Sequence, residues 1–425
     1  MSLRPGQQLE LTIEKPAAGG RMIARHEGQV VLVQGSIPGE RVLASVDRVE
    51  RQVAFASTSG VLSASADRLA DHGDPACGGC SYSHIRYPRQ VDLKSEVVRD
   101  AFARLGRLPI AAPRVAPSPD RGYRMRARLH VRGDRAGFYR EGTHELCDAA
   151  ATGQLAEASV EALAACVRTI VGGGVSLTAA ELTENVAADE RIVHVIAPGD
   201  GNLTDRLLDD AMAASGLTGC SGLSADGTVR TAGVPVVTDP LSVLTMGGAR
   251  AGSLQRRAES FFQANRFLLP QLVQEVTEAV PQDGHVLDLY AGVGLFSVAL
   301  AALGRKDITA IEGDRTSGTD LLRNAVPYSP ALRVYVESVE QYVRRRTGSV
   351  ATIVVDPPRI GISREAMTAI VRAKAKRLVY VSCDPATMAR DARRLVDGGY
   401  ELVSLTAFDL FPNTPHVEAL GIFAL

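Results

Sequence analysis

No stretch of these 425 residues stays apolar over the length that a membrane crossing needs. The opening "MSLRPGQQLE" also lacks the basic-then-apolar order of a secretory leader. Both absences predict a cytoplasmic protein with no membrane partner. Cysteine is scarce: six residues in a chain this long make no disulfide framework. The run Cys77-Gly78-Gly79-Cys80 therefore reads as a metal or redox pair. An excess of positive charge is missing too. With 47 basic and 48 acidic residues the net charge is −1, so any nucleic-acid surface has to be local. What is present, 45% hydrophobic and 22% charged residues, is the composition of a globular protein. The length predicts two or three domains.

The patterns divide the chain. Over residues 1–60, "LELTIEK", "QVVLVQG", "ERVLASVDRVE" and "VAFASTSGVL" alternate apolar and polar residues between Gly and Pro turns, which predicts a small β-barrel. Residues 61–92 carry the Cys77–Cys80 pair, and 93–108 have helical periodicity up to Gly106 and Pro109. From 121, "RGYRMRARLHVRGDRAGFYR" is rich in arginine. Arg124, Arg126 and Arg128 are two apart, so one strand points all three to one face. They form either a phosphate-tracking surface or a solvated face paired with acids. Residues 151–245 read as further α+β structure. The last third alternates Val/Ile-rich runs ("HVLDLY", "DITAIE", "LRVYVES", "ATIVVD", "RLVYVSC") with segments of helical length, the pattern of a doubly wound parallel sheet. "YELVSLTAFDL" and "HVEALGIFAL" close the chain as an antiparallel edge. The expected units are a barrel over 1–60, a central α+β domain over 61–92 and 115–245, and an α/β domain over 93–114 and 246–425.

Four motifs carry chemistry. In "VLDLYAGVGLFS" a strand runs into a glycine loop and then a helix, and Gly292 and Gly294 let backbone approach a ligand at the helix N-terminus. The third glycine of a dinucleotide fingerprint is replaced by Ser297. Glu312 ends the next strand, where a carboxylate can accept both hydroxyls of a ribose. In "IVVDPPRIG", Asp356 ends a strand and Pro357-Pro358 stiffens the rim beyond it. In "LVYVSCDPAT", Cys383 stands where a strand stops, and the helix starting near Pro385 is expected to lower its thiol pKa. In "FPNTPHVEALGIF", His416 and Glu418 fall near the last turn. Burial of Glu418 in an apolar strand would raise its pKa and suit it to proton transfer.

Taken together, "FFQANRF", "DLYAGVGLFS", "VVDPPRIG", "VSCDPATMARD" and "FPNTPHVE" occur in the order seen in RNA uracil-5-methyltransferases, and the chain resembles that family densely over 255–425. The resemblance implies a Rossmann-like S-adenosylmethionine-dependent methyltransferase domain that makes 5-methyluridine in ribosomal or transfer RNA. It implies that Cys383 adds to carbon 6 of the uracil and that Glu418 removes the proton from carbon 5. Asp356 would hold the base and support the enolate, beside the cofactor. Gln263, Tyr290, the Gly292–Gly294 loop and Glu312 would bind the cofactor, while Arg124, Arg126 and Arg128 would bind RNA. The barrel followed by the CGGC segment resembles members with a TRAM domain and an iron–sulfur cluster, which mostly act on 23S-type ribosomal RNA. Cys77 and Cys80 would be ligands of such a cluster. The set is incomplete: the pattern wants a cysteine about where Asp71 or His72 stands and another near Thr152, with Cys147 five residues early. A second departure is Leu295, where relatives often have Asn.

Other readings stay in view. A transfer-RNA uracil methyltransferase would carry the same motifs, and a non-catalytic RNA-binding protein could keep the fold. Arg359 after the Pro-Pro pair speaks against an adenine-N6 enzyme, Pro358 against a cytosine-5 enzyme, and the missing third glycine against an NAD-dependent oxidoreductase. A monomer is expected.

Overall fold

The computed structural model describes residues 3–198, 202–224, 227–346 and 348–425. Five strands, β1 (Gln8–Pro16), β2 (Met22–His26), β3 (Gln29–Gln34), β4 (Arg41–Val49) and β5 (Val53–Ser63), close into a barrel in the order β1-β2-β3-β5-β4. The alternation read from the sequence is the cause. Leu9, Leu11 and Ile13 of β1 point inward and are buried, while the residues between them face out.

Helix α1 (Tyr87–Arg104) starts earlier than the periodicity predicts and stops short of 108. Pro88 occupies its first turn, where a missing N–H costs nothing. Leu105 caps it with its N–H on the Ala101 carbonyl, and Arg107 turns the chain beyond at φ 52°. The strand β6 (Val115–Ala116) then joins the final sheet rather than the central domain, because Ala116 and Val115 pair with a strand near the C-terminus. The boundary expected at 115 is corrected accordingly.

The central sheet follows. It is built from β7 (Arg126–Arg132), β8 (Arg135–Tyr139), β9 (Leu146–Asp148), β10 (Ala179–Glu184), β11 (Arg191–Ile196), β12 (Gly219–Leu223) and β13 (Val229–Gly233), in the order β13-β12-β11-β10-β7-β8-β9. Helices α2 (Glu157–Gly172) and α3 (Asp205–Ser215) cover one face and share its apolar core through Leu163, Cys166 and Leu208. On β7, Ala127, Leu129 and Val131 enter that core, which turns Arg126, Arg128 and His130 to the opposite face.

A hairpin of β14 (Val237–Pro240) and β15 (Ser253–Arg256), with the short α4 (Leu241–Leu244) between them, leads into the last unit. There α5 (Leu269–Ala279), β16 (Val286–Leu289), α6 (Leu295–Ala302), β17 (Ile308–Glu312), α7 (Arg315–Ala325), β18 (Leu332–Val336), α8 (Val339–Arg345), β19 (Thr352–Val355), α9 (Arg364–Ala373), β20 (Arg377–Ser382), α10 (Pro385–Asp397), β21 (Glu401–Phe408) and β22 (Glu418–Ala424) succeed one another. The eight-stranded sheet has the order β18-β17-β16-β19-β20-β22-β21-β6. Its strands from β18 to β20 are parallel and buried on both faces, with Val286, Val354 and Val379 in one core and Leu287, Ile353 and Leu378 in the other. β21 and β22 pair antiparallel as predicted, yet β22 is interior, held between β20 and β21, and β6 is the edge.

Chain direction across the sheet reverses between β16 and β19, and ligands of open α/β sheets sit at such a switch point. The loop 409–417, which precedes β22, is clamped over it from outside the sheet. Lys94 of α1 is ion-paired with buried Asp409 and donates to the Phe411 carbonyl at 3.0 Å. Gln90 donates to Asn413 Oδ1 at 2.9 Å, and the Tyr123 hydroxyl to the Pro412 carbonyl at 3.1 Å. Among the described residues no helix is long and apolar enough to cross a membrane.

Candidate active site

A cavity of about 910 Å³ opens at the switch point. The turn after β16 forms its floor. Tyr290, Gly292 and Gly294 all adopt positive φ (64°, 57° and 96°), and a Cβ on Gly294 would lie 2.7 Å from Leu321 and Val298, so only glycine fits there. Gly292 N–H donates to Glu312 Oε2 at 2.7 Å, and Asp314 N–H to Glu312 Oε1 at 2.6 Å, which fixes this carboxylate at the loop. Burial nonetheless raises the Glu312 pKa. Under the loop, Asp288 is fully buried. One of its oxygens accepts from Ser297 N–H at 3.2 Å, the other has no partner, and burial pushes its pKa up to about 7.

The reactive candidates come from three different strand ends. Asp356 follows β19, Cys383 follows β20, and Glu418 opens β22. All three line the cavity together with Gln263, Tyr290, Gly292 and Glu312. Gln263 Nε2 donates to Asp356 Oδ2 at 3.2 Å. Its segment is anchored by Asn265, whose side chain donates to the Leu410 carbonyl at 3.1 Å and to Ser118 Oγ at 2.9 Å. Gly294 is not among the lining residues; it shapes the turn.

Electrostatics set these groups apart. Burial raises Asp356 to about 7, against the Gln263 hydrogen bond and with help from Glu312. Glu418 opens its strand, is 2% exposed, and its Oε1 is buried with no hydrogen-bond partner. Burial and then the Asp356 charge drive its pKa well up. The expectation that a helix N-terminus would lower the Cys383 thiol is corrected. Burial, Glu418 and Asp356 push it up to about 12, and Arg359, by charge and hydrogen bond, is what opposes them. The helix end is already occupied, because the Asp384 carboxylate accepts from Thr387 N–H at 2.7 Å and places a negative charge there. His416 also lines the cavity, and burial, Arg359, Lys94 and Arg124 lower it to about 4, so it is neutral at physiological pH.

The three arginines all line the same cavity, with different freedoms. Arg124 lies before β7, bonded to Gln154 Oε1 at 2.6 Å and set over the rings of Phe138 and Phe411 at 5.2 and 5.4 Å. Arg126 donates to the Ser260 carbonyl at 3.1 Å. Arg128 is 58% exposed and tethered at 3.2 Å to Glu181. Of the three, Arg128 is the most exposed, while Arg124 and Arg126 are held in the cavity wall by these contacts.

The reading of Cys77 and Cys80 as a metal pair is also corrected. Cys77 is disulfide-bonded to Cys147 of β9, and Cys80 is a separate buried thiol raised to about 11 by burial and Asp74. A sulfur in a disulfide is not a thiolate ligand. Among the described residues no group of three or more His, Cys, Asp and Glu side chains is placed to hold a metal. A four-thiolate iron–sulfur cluster does not fit this donor set.

Arg359, Asp288 and the wall residues Phe138, Tyr139 and His130 are what sequence reasoning left without a role. Arg359 follows a recognisable Pro-Pro rim, but nothing local says that its guanidinium reaches Cys383. The parity of Arg126, Arg128 and His130 was the one signal for the wall.

A parallel sheet with a glycine loop after its first strand, a carboxylate ending the second, and a cavity at the switch point is the frame of an S-adenosylmethionine-dependent methyltransferase. Comparisons with known proteins narrow this. Residues 341–424 match the model of the tRNA (Uracil-5-)-methyltransferase family, and residues 3–58 match the TRAM domain. The 23S rRNA (uracil(1939)-C(5))-methyltransferase RlmD of Halomonas elongata is 32% identical, over 97% of this chain and 88% of its own. An uncharacterized RNA methyltransferase of Streptomyces coelicolor is 32% identical, over 98% of this chain and 93% of its own. The crystal structure of Pyrococcus abyssi tRNA (uracil-54, C5)-methyltransferase in complex with S-adenosyl-L-homocysteine shares the fold, with a TM-score of 0.76 at 24% identity over 98% of this chain and 100% of that one. The chain belongs to the RNA uracil-5-methyltransferase family, with a TRAM barrel at its N-terminus.

Proposed function

We propose that this protein, a cytoplasmic monomer, uses S-adenosylmethionine to methylate carbon 5 of a uridine in 23S ribosomal RNA, with Cys383 as nucleophile, Glu418 as base and Asp356 as the group that holds the uracil. The observation that carries this reading is the convergence of these three residues, from three strand ends, on one cavity with the glycine loop, and with the Glu418 Oε1 buried and unpartnered. The preference for 23S RNA is supported by the RlmD relatives, which align over nearly the whole chain.

The donor set fits the cofactor. Glu312, fixed by the loop amides, suits the ribose hydroxyls, Gln263 and Asp356 suit the methionine end, and Tyr290 and Gly292 suit the body between them. When bound, S-adenosylmethionine supplies an electrophilic methyl group on a sulfonium. The rest is done by the chain. The Cys383 thiol first releases its proton to water in the open cavity; the thiolate Sγ then forms a bond to carbon 6, and the electron pair of the C5–C6 double bond moves toward carbon 5 and the carbonyl oxygen. Burial raises the Asp356 carboxyl to about 7, and in its protonated form it can donate to that oxygen as its charge grows. Arg359 favours the thiolate that attacks. Once carbon 5 carries the methyl, Glu418 takes its proton, the double bond re-forms, and the bond to Cys383 breaks. A carboxylate that burial has made more basic is suited to that step.

The uracil must be unpaired to enter. The TRAM barrel (1–60) and the central domain (61–92 and 117–245) are the RNA grips, and the sheet unit holds the chemistry. Cys383→Ala tests the core of the proposal. It should abolish methyl transfer and leave S-adenosylmethionine affinity intact, because the glycine loop lies on another strand end. RNA containing 5-fluorouridine should form a covalent adduct with the native protein alone. An adduct with the Ala variant overturns the nucleophile. Mapping 5-methyluridine in 23S RNA and transfer RNA from a deletion strain tests the substrate; loss in transfer RNA alone overturns it.

A further inference from the structure

The cavity extends beyond the reactive residues to the central sheet. Its far wall is the open face of β7, with Arg128 and His130, and the end of β8, with Phe138 and Tyr139. The His130 and Tyr139 rings lie parallel, with centroids 3.6 Å and planes 8° apart, and both are only half-buried. His144 meets Tyr139 edge-on at 5.4 Å. Burial, Arg128 and His144 all lower the His130 pKa, so that ring is uncharged at neutral pH and presents a plain aromatic face.

The CGGC segment packs beside the end of the strand that carries Tyr139. Gly78 N–H donates to the Tyr139 carbonyl at 3.1 Å. Gly79 lets the chain pass under Phe138, since a Cβ there would lie 2.9 Å from the ring. The Cys77–Cys147 bond ties this segment to β9, where Cys147 stands opposite Phe138 in the ladder. The motif that suggested metal thus ties down the strand end that carries the aromatic wall. Rings already held in place lose little freedom when a ligand stacks on them.

We propose that the His130–Tyr139 pair is a stacking platform for a second nucleobase, a near neighbour of the target uridine, with Arg128 receiving the phosphate beside it. This rests on the RNA reading given above. A target base drawn into the pocket leaves its neighbours without a stacking partner. An aromatic face at the far wall of the same cavity replaces that partner for any of the four bases, and an exposed arginine next to it complements the backbone charge.

The test uses the full-length protein and single-stranded oligoribonucleotides with one central uridine and an abasic site placed in turn at each flanking position. Affinity is read by fluorescence anisotropy, methylation by tritium transfer, and folding by S-adenosylmethionine affinity. One abasic position should weaken binding to the native protein roughly 5- to 150-fold, the range of one base–aromatic stack. His130→Ala/Tyr139→Ala should lose the same factor on intact RNA and nothing more on the abasic RNA, with S-adenosylmethionine affinity unchanged. His130→Phe/Tyr139→Phe, which keeps the rings, should restore binding. RNA that is bound and methylated with indifference to every flanking abasic site, or losses that multiply in the Ala variant, overturns the platform and leaves the methyltransferase reading standing. RNA that is bound but never methylated overturns the reading on which the platform rests.

Discussion

Glu418→Gln separates the removal of the carbon 5 proton from the attack that precedes it. Gln keeps the shape of the side chain and cannot accept the proton. Glu418 is 2% exposed and its Oε1 has no partner, so no hydrogen bond is lost by the change at that atom. Two neighbours could substitute as bases, and both are poorly suited. His416, lowered to about 4, is a weak base, and Asp356 is tied to Gln263. General-base catalysis contributes about 10²–10⁴-fold, which at ~1.4 kcal/mol per tenfold is a barrier increase of about 3–5 kcal/mol. Turnover should fall by that factor while attack and methyl transfer proceed. The protein should then accumulate as a covalent complex with already methylated RNA, seen as a slow band on a denaturing gel and confirmed by nuclease digestion and mass spectrometry. The pH profile gives the sign. Glu418 must be ionised to act, and its pKa is raised, so native turnover should fall as pH drops through that raised value. In the Gln variant this limb should vanish. Normal turnover in the variant refutes the assignment. So does the complete absence of adduct, which would place Glu418 before the attack.

Further expectations follow from the same geometry. Asp288, raised to about 7 by burial, would be drawn to ionise by the positive charge of bound S-adenosylmethionine, so affinity for it should weaken as pH falls below 7, by up to about tenfold per unit for the proton involved. S-adenosylhomocysteine lacks that charge and should respond much less in calorimetric titrations; parallel curves would contradict this. Lys94→Met leaves Asp409 buried without its cation and should cost about 3–5 kcal/mol in urea unfolding, whereas Lys94→Met/Asp409→Leu should recover most of the loss. Arg128→Ala should reduce the log–log salt slope of RNA binding by about 0.7–0.9. Arg124→Ala should instead lower thermal stability, because its guanidinium is held by Gln154 between two rings.

Alternation of apolar and polar residues was enough for the barrel, whose strands have one wet face, and Val/Ile-rich runs separated by segments of helical length were enough for the doubly wound sheet, whose strands are buried on both faces. The catalytic motifs were legible for a related reason. Asp356 and Cys383 stand just past the ends of buried parallel strands, and Glu418 opens a strand that runs antiparallel to them, so all three fall at the same edge of the sheet. Local pattern could not report charge balance. The Cys383 thiol is raised by burial and by two carboxylates from the strands on either side of its own, which are far from it in sequence, and Asp384, its chain neighbour, occupies the helix end that would have lowered it. Spacing likewise put three arginines on one face, and packing against Gln154, Phe138 and Phe411 holds Arg124 partly buried in the cavity wall. The fate of Cys77 was decided by Cys147, 70 residues along the chain, because β9 lies beside β8 and brings the two sulfurs together. Pairings across that separation depend on sheet order, which no window of the sequence contains.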